Sequence, residues 1–181
     1  MGLKNKIDIG STYFLTMTVV DWVDVFTRAA YKQIFVDSIS YCVKNKGLIV
    51  NAWVLMSNHA HMVASAGDNG NLSDILRDMK KYTSKKIIET IQTIPESRRE
   101  WMLYRFEYAG KLDKKIKNYQ FWQEGNEPKE IMTFDFLKQK TDYIHNNPIR
   151  AEIVSEAHHY LYSSACDYAG IQGLIPVTPA W

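Results

Sequence analysis

The chain has little cysteine, no long apolar run and almost no net charge. Only 2 of its 181 residues are cysteines, Cys42 and Cys166, far apart and in apolar or aromatic surroundings. That argues against a disulfide framework and for reduced core thiols in a cytosolic protein. No apolar run approaches the roughly 20 residues of a membrane-spanning helix. The first ten residues carry Lys4, Lys6 and Asp8 and lack the apolar stretch of a signal peptide. Repeats and low-complexity linkers are also missing. With 46% hydrophobic and 23% charged residues, the composition is that of a soluble globular protein. The length suits a single domain, residues 1–181, with a sizeable core.

The net charge of +2 hides an asymmetry. Residues 77–117 hold 12 Lys or Arg against 6 Asp or Glu, which leaves the rest of the chain at −4. A basic middle is either a polyanion-binding face or a solvated helix face.

Periodicity outlines the elements. Residues 12–20 (TYFLTMTVV) are β-branched and aromatic and read as a strand with Tyr13, Leu15, Met17 and Val19 on one face. Residues 28–46 have helical spacing through Tyr31, Ile34, Phe35, Ser38, Ile39, Cys42 and Val43, and Gly47 is a natural stop. Residues 48–56 (LIVNAWVLM) are nearly continuous in apolar residues, which predicts a central strand. The turn at Ser57-Asn58 folds this strand back into a hairpin. After the loop 67–70, Asn71 or Ser73 caps a helix to about residue 92, with Leu72, Ile75, Leu76 and Met79 buried. Ile94-Pro95 ends it. Residues 96–118 show no clear period and read as a helix or a mobile basic insertion. Residues 119–123 (YQFWQ) read as a strand. A helix over 133–147 is stopped by Pro148, and an aromatic, irregular tail begins at about residue 157. The order strand, helix, strand, strand, helix, strand is an α+β, ferredoxin-like split β-α-β plan. It implies an antiparallel sheet with helices mainly on one face.

Two segments carry candidate chemistry. In Asn58-His59-Ala60-His61-Met62-Val63-Ala64 the histidines are two apart on a strand, so both rings project to one face. They either share a metal ion or pack beside the sheet. In the last helix Tyr143 and Asn147 are i and i+4 and lie one turn apart. Tyr143 is a possible nucleophile or a packing ring, and Asn147 a possible hard-metal ligand or a helix-end polar residue.

Together these motifs resemble the single-tyrosine HUH transposases, in particular the REP-associated tyrosine transposases of bacteria. The resemblance spans residues 12–168. It is carried by Tyr13-Phe14-Leu15-Thr16, the hairpin from Asn51 to His61, Met79-Lys80-Lys81-Tyr82-Thr83, Phe121-Trp122-Gln123, Asp142-Tyr143-Ile144-His145-Asn146-Asn147-Pro148 and Tyr162-Ser163-Ser164. It departs from the family in Glu124 to Pro128, where many relatives are aromatic and rich in His and Asp, and in the longer basic stretch at 96–117.

The resemblance implies that His59, His61 and Asn147 bind a divalent metal, Mg²⁺ or Mn²⁺, and that Tyr143, carried by the C-terminal helix, is the catalytic nucleophile. Two imidazoles favour borderline ions such as Zn²⁺, whereas an amide oxygen and a phosphate favour hard ones. The implied activity is that of a metal-dependent single-stranded DNA endonuclease and strand transferase, acting at hairpin DNA through a 5′-phosphotyrosine intermediate. It further implies a cytoplasmic, nucleoid-associated protein of bacteria, with no membrane partner, working as a monomer or homodimer. DNA binding is expected from Lys80, Lys81, Lys85, Lys86, Lys114 and Lys115, with Trp122 or Tyr82 stacking exposed bases. His145, two residues from Tyr143, is either a helix-surface residue or a proton acceptor. The rivals are a catalytically inactive hairpin-binding module and a hydrolase in which water attacks and Tyr143 only packs.

Overall fold

The computed structural model describes residues 7–8, 10–68, 70–112, 118–124 and 128–180. Among these residues four strands form one sheet: β1 (Tyr13–Thr18), β2 (Leu48–Leu55), β3 (His59–Ala66) and β4 (Lys129–Glu130). Their order is β2-β3-β1-β4, and every neighbouring pair is antiparallel. Five α-helices of the described residues accompany them: α1 (Ala29–Lys46), α2 (Leu72–Thr93), α3 (Arg99–Leu112), α4 (Phe134–Arg150) and the short α5 (Ala165–Tyr168). This is the expected ferredoxin-like α+β plan.

The period of two in β1 sorts its side chains between two cores. Tyr13, Leu15 and Met17 join the buried residues of α1 and α2, among them Phe35, Ile39, Ile75 and Met79. Phe14 faces the other way and packs with Val54, Val63, Ile144 and Tyr160 beneath α4. Gly47 ends α1 in the left-handed region (φ 69), as its position past the apolar stripe predicts. Asn71, not Ser73, caps α2 by accepting from the Asp74 amide.

Three expectations need correction and one open alternative is decided. First, β2 is not central but lies at the edge of the sheet. Its apolar run reflects two covered faces, with α1 on one and α4 on the other. The C-terminal tail covers its open edge: Leu55 N donates to Tyr162 O, Ser164 N to Trp53 O and Thr178 N to Val50 O. Second, residues 119–123 are not a strand; Trp122 makes one isolated bridge to Val19. The fourth strand is the two-residue β4 instead.

Of the two readings of residues 96–118, the helix holds over 99–112, α3. Only Met102, Phe106 and Gly110 of it are buried, while Trp101, Tyr104, Tyr108 and Leu112 stay exposed. Aromatic residues on the outer face obscure the helical period. Third, Pro148 does not stop α4, which runs on to Arg150. Proline so near the end removes one backbone bond, and the turn beyond closes as a Schellman motif. Ile153 N donates to Pro148 O and Glu152 N to Ile149 O, with Glu152 left-handed at φ 57.

One buried ionic cluster links the helices to the loop that precedes α1. Glu96 is buried and takes Arg28 at 2.8 Å and Arg98 at 3.4 Å. Arg98 in turn donates to the Asp24 carbonyl at 2.9 Å, and so ties the start of α3 to the loop beside the β2–β3 turn.

The tail carries a pH-sensitive group. Tyr160 is buried and donates to Leu55 O at 2.8 Å, and its burial pushes the phenol up to about 12. The folded chain keeps this proton where an unfolded tyrosine, near 10, releases it. Its contribution is therefore intact below pH 10 and is lost as pH rises towards 12. Two units correspond to about 2–3 kcal/mol. Urea melts at pH 9 to 12 are expected to show the decline, with a shallower one for Tyr160→Phe.

Candidate active site

The paired strands bring one set of side chains to the α4 face. Register places Thr16 opposite His61 and Thr18 opposite His59, so both imidazoles lie on the Phe14 side. Their ring centroids are 4.9 Å apart. His61 is 6% exposed and stacks on Phe14 at 5.3 Å, and His59 is half-buried. Across from them α4 is seated by Ile144, which is fully buried between the sheet and the tail. That seating turns Tyr143 inward. Its hydroxyl lies 3.5 Å from His61 Nε2, in the same chain.

Neighbouring side chains orient both rings. Asn58 Nδ2 donates to Trp22 O at 3.2 Å and to Asp24 Oδ1 at 3.0 Å. With its nitrogen so engaged, Asn58 presents Oδ1 to His59 Nδ1 at 2.7 Å. An amide oxygen only accepts, so Nδ1 donates to it. The Asn147 side chain is also hydrogen-bonded to His59. Asn147 Nδ2 donates to Tyr143 O at 2.9 Å. His61 Nδ1 meets Thr16 Oγ1 at 2.9 Å, leaving Nε2 facing the tyrosine.

Burial keeps both rings neutral. Desolvation lowers the His59 pKa, with the Asn147 hydrogen bond opposing it. His61 is pushed down to about 3, first by burial and then by His59 and Lys140. Neutral imidazoles suit a metal, because little proton competition remains. The donor set is two nitrogens and one amide oxygen. Among the described residues no three His, Cys, Asp or Glu side chains cluster to hold a metal. Asn58→Leu is expected to weaken Mn²⁺ binding by about 10–100-fold, the usual cost of losing a ligand's hydrogen-bond partner. Isothermal titration with MnCl₂ reads it.

Two cations that sequence reasoning did not single out border Tyr143. Lys140 Nζ lies 5.8 Å from its ring centroid and 4.9 Å from that of Phe14, and Arg150 Cζ lies 5.6 Å from the Tyr143 ring. Lys140 is one helical turn before Tyr143 and Arg150 two turns after it, a spacing visible in the sequence once the face is known. The other expected contacts are elsewhere. Lys81, Lys85 and Lys86 are exposed on α2, across the sheet from the imidazoles, and the last two lie 3.8 Å from Glu89. Lys80 is half-buried, and desolvation pushes it down to about 8. Lys114 and Lys115 fall outside the described residues. Trp122 is not available for base stacking: it is 6% exposed and its Nε1 donates to Thr83 Oγ1 at 3.0 Å. Tyr82 is exposed on α2. His145 is neither a surface residue nor turned to Tyr143. It is half-buried against the Tyr168 ring and 2.8 Å from Ser164 Oγ, where it fastens α4 to the tail.

The chain belongs to the IS200-like transposase family, whose model matches residues 11–119. The match includes both histidines and ends before Tyr143 and Asn147. Among solved structures, the fold is similar to that of a REP-associated tyrosine transposase bound to a REP hairpin. The TM-score is 0.64 at 18% identity, over 100% of this chain and 93% of that one. A protein assigned as a transposase from Deinococcus radiodurans R1 aligns with a TM-score of 0.44 at 14% identity, over 81% of this chain and 97% of that one. No curated protein matches the sequence. Among the described residues no helix is long and apolar enough to cross a membrane.

Proposed function

We propose that this chain is a metal-dependent endonuclease and strand transferase for single-stranded DNA at hairpins, of the REP-associated tyrosine type. The observation that carries the reading is the 3.5 Å separation of Tyr143 Oη and His61 Nε2 within one protomer. A nucleophile and a ligand set meet without a second subunit, which favours a working monomer.

His59, His61 and Asn147 would hold Mg²⁺ or Mn²⁺, which when bound neutralises charge on the scissile phosphate and orients it. Tyr143 supplies the attacking oxygen. Its Oη forms a bond to phosphorus, the bond from phosphorus to the 3′ oxygen breaks, and the phenol proton leaves to solvent as the 3′ oxygen takes one up. The product is a 5′-phosphotyrosine. Attack by another 3′-hydroxyl reverses the exchange and joins strands, so no nucleotide triphosphate is consumed. Lys140 and Arg150 are placed to meet phosphate charge beside Tyr143. His145 is held by Ser164 and takes no part.

The test is incubation with a panel of hairpin oligonucleotides bearing single-stranded flanks, in Mn²⁺ or EDTA. A covalent adduct resistant to denaturing gel electrophoresis is expected in Mn²⁺ alone. Tight binding across the panel with no adduct would instead identify a hairpin-binding module that has lost catalysis.

A further inference from the structure

We propose that Trp22 is a base-stacking residue of this site, its indole taking the face of an unpaired DNA base next to the scissile phosphate. The proposal rests on the reading of the site as a single-strand DNA nuclease. Trp22 is 57% exposed, whereas Trp53 and Trp122 are buried in the core. Trp101 is exposed as well, at 51%, so exposure alone does not single Trp22 out; its place beside the imidazoles does. Its ring centroid is 5.8 Å from that of His59, edge to face, so whatever sits on the imidazole pair adjoins the indole.

The backbone that presents Trp22 is strained. Asp21 and Trp22 are consecutive non-glycine residues in the left-handed region, at φ 53 and φ 55. Such strain persists only where surrounding structure enforces it, and it clusters at functional sites. Here the enforcement is visible. Arg105 of α3 pairs with Asp21 at 2.9 Å, Trp22 N donates to Val19 O at 3.1 Å, and Asn58 Nδ2 donates to Trp22 O at 3.2 Å. Asn58 is also the residue that orients His59. One amide side chain therefore fixes both the Trp22 carbonyl and the His59 imidazole. Glycine or asparagine would occupy this turn with less strain, so tryptophan there serves something outside the turn. The cations already beside the site, Lys140 and Arg150, attract the phosphate backbone, and an exposed ring at its margin offers a stacking partner to the base.

The test is a binding cycle in the Tyr143→Phe background, where cleavage plays no part. Hairpin oligonucleotides carry one abasic site walked through the unpaired flanking nucleotides. On intact DNA Trp22→Ala is expected to raise Kd by roughly 5–150-fold, the range of one base stacked on an aromatic ring. One abasic position is expected to cost the Trp22 protein a similar factor, and Trp22→Ala almost nothing more on that DNA. Trp22→Phe should keep most of the affinity. Trp22→Gly, which removes the left-handed strain, should melt no lower than wild type yet bind as weakly as Trp22→Ala, which separates the defect from unfolding. Additive losses at every position, or a Trp22→Ala protein that binds like wild type, would overturn the proposal. A non-additive cycle without any Mn²⁺-dependent adduct from the unmutated chain would keep Trp22 and sink the nuclease reading. Absence of DNA binding sinks both.

Discussion

Tyr143→Phe is expected to abolish covalent DNA attachment, a loss of at least about 10⁴-fold, while fold and hairpin affinity stay near wild type. The substitution removes only the hydroxyl. The ring keeps its edge contact with Phe14, centroids 5.9 Å apart, and its place against the second core. The one polar contact forfeited is the long 3.5 Å approach to His61, so the thermal midpoint should barely move. His145 is bound to Ser164 at 2.8 Å, and Thr16, a hydroxyl on this face, is bound to His61 Nδ1 at 2.9 Å. Residual cutting at the wild-type rate, with water as nucleophile, would show that the phenol only packs.

The second large effect is expected at the imidazoles. His59→Ala should weaken Mn²⁺ binding by more than the 10–100-fold expected for Asn58→Leu, because a ligand is lost rather than its support. Adduct formation should fall with metal occupancy, and raising Mn²⁺ should recover part of it. His61→Ala should go further, since His61 is 6% exposed, stacks on Phe14 at 5.3 Å and faces Tyr143. That variant also leaves a void, so its melting temperature belongs beside its metal titration. His59 is the cleaner position, being half-buried and braced from the Asn58 side. An unchanged Mn²⁺ affinity in His59→Ala would place any metal elsewhere.

Much of this site is legible in local spacing. His59 and His61 share a face because a strand alternates, and Tyr143 and Asn147 share one because a helix turns every 3.6 residues. The strand over residues 48–56 and the stop at Gly47 follow from the same short-range rules, which narrow the cap of α2 to Asn71 or Ser73. What local pattern could not supply was pairing. The apolar run of β2 looked central because burial on two faces reads the same whether the edge is filled by a strand or by a tail, here residues 162–178. Phe121 and Trp122 look like strand residues because they are buried, yet Trp122 bridges only Val19. Pro148 looked like a stop because its cost depends on how many turns follow, and only two helical residues do.

The parts of the site that came only with the fold are long-range. Asp24 lies 34 residues from Asn58, to which it is bonded at 3.0 Å, and nothing near Trp22 in the chain signals His59. Lys140 and Arg150 were within view, but only the seating of Ile144 decides which helix face meets the histidines. The expected basic face shows the converse limit. Lys81, Lys85 and Lys86 form a surplus of charge in sequence, while the fold puts them behind the sheet from the paired rings.

Peptide mapping of the trapped adduct by tandem mass spectrometry decides the matter most directly. After reaction with a cleavable hairpin in Mn²⁺ and nuclease digestion, a 5′-phosphonucleotide is expected on Tyr143 of the peptide that spans α4, and on no other tyrosine. Mixing Tyr143→Phe with His59→Ala should not restore it, since phenol and imidazoles belong to one protomer. Attachment to a different residue, strand cutting with no attachment, or full recovery on mixing would contradict a phenol and a metal-binding imidazole pair acting together within a single chain.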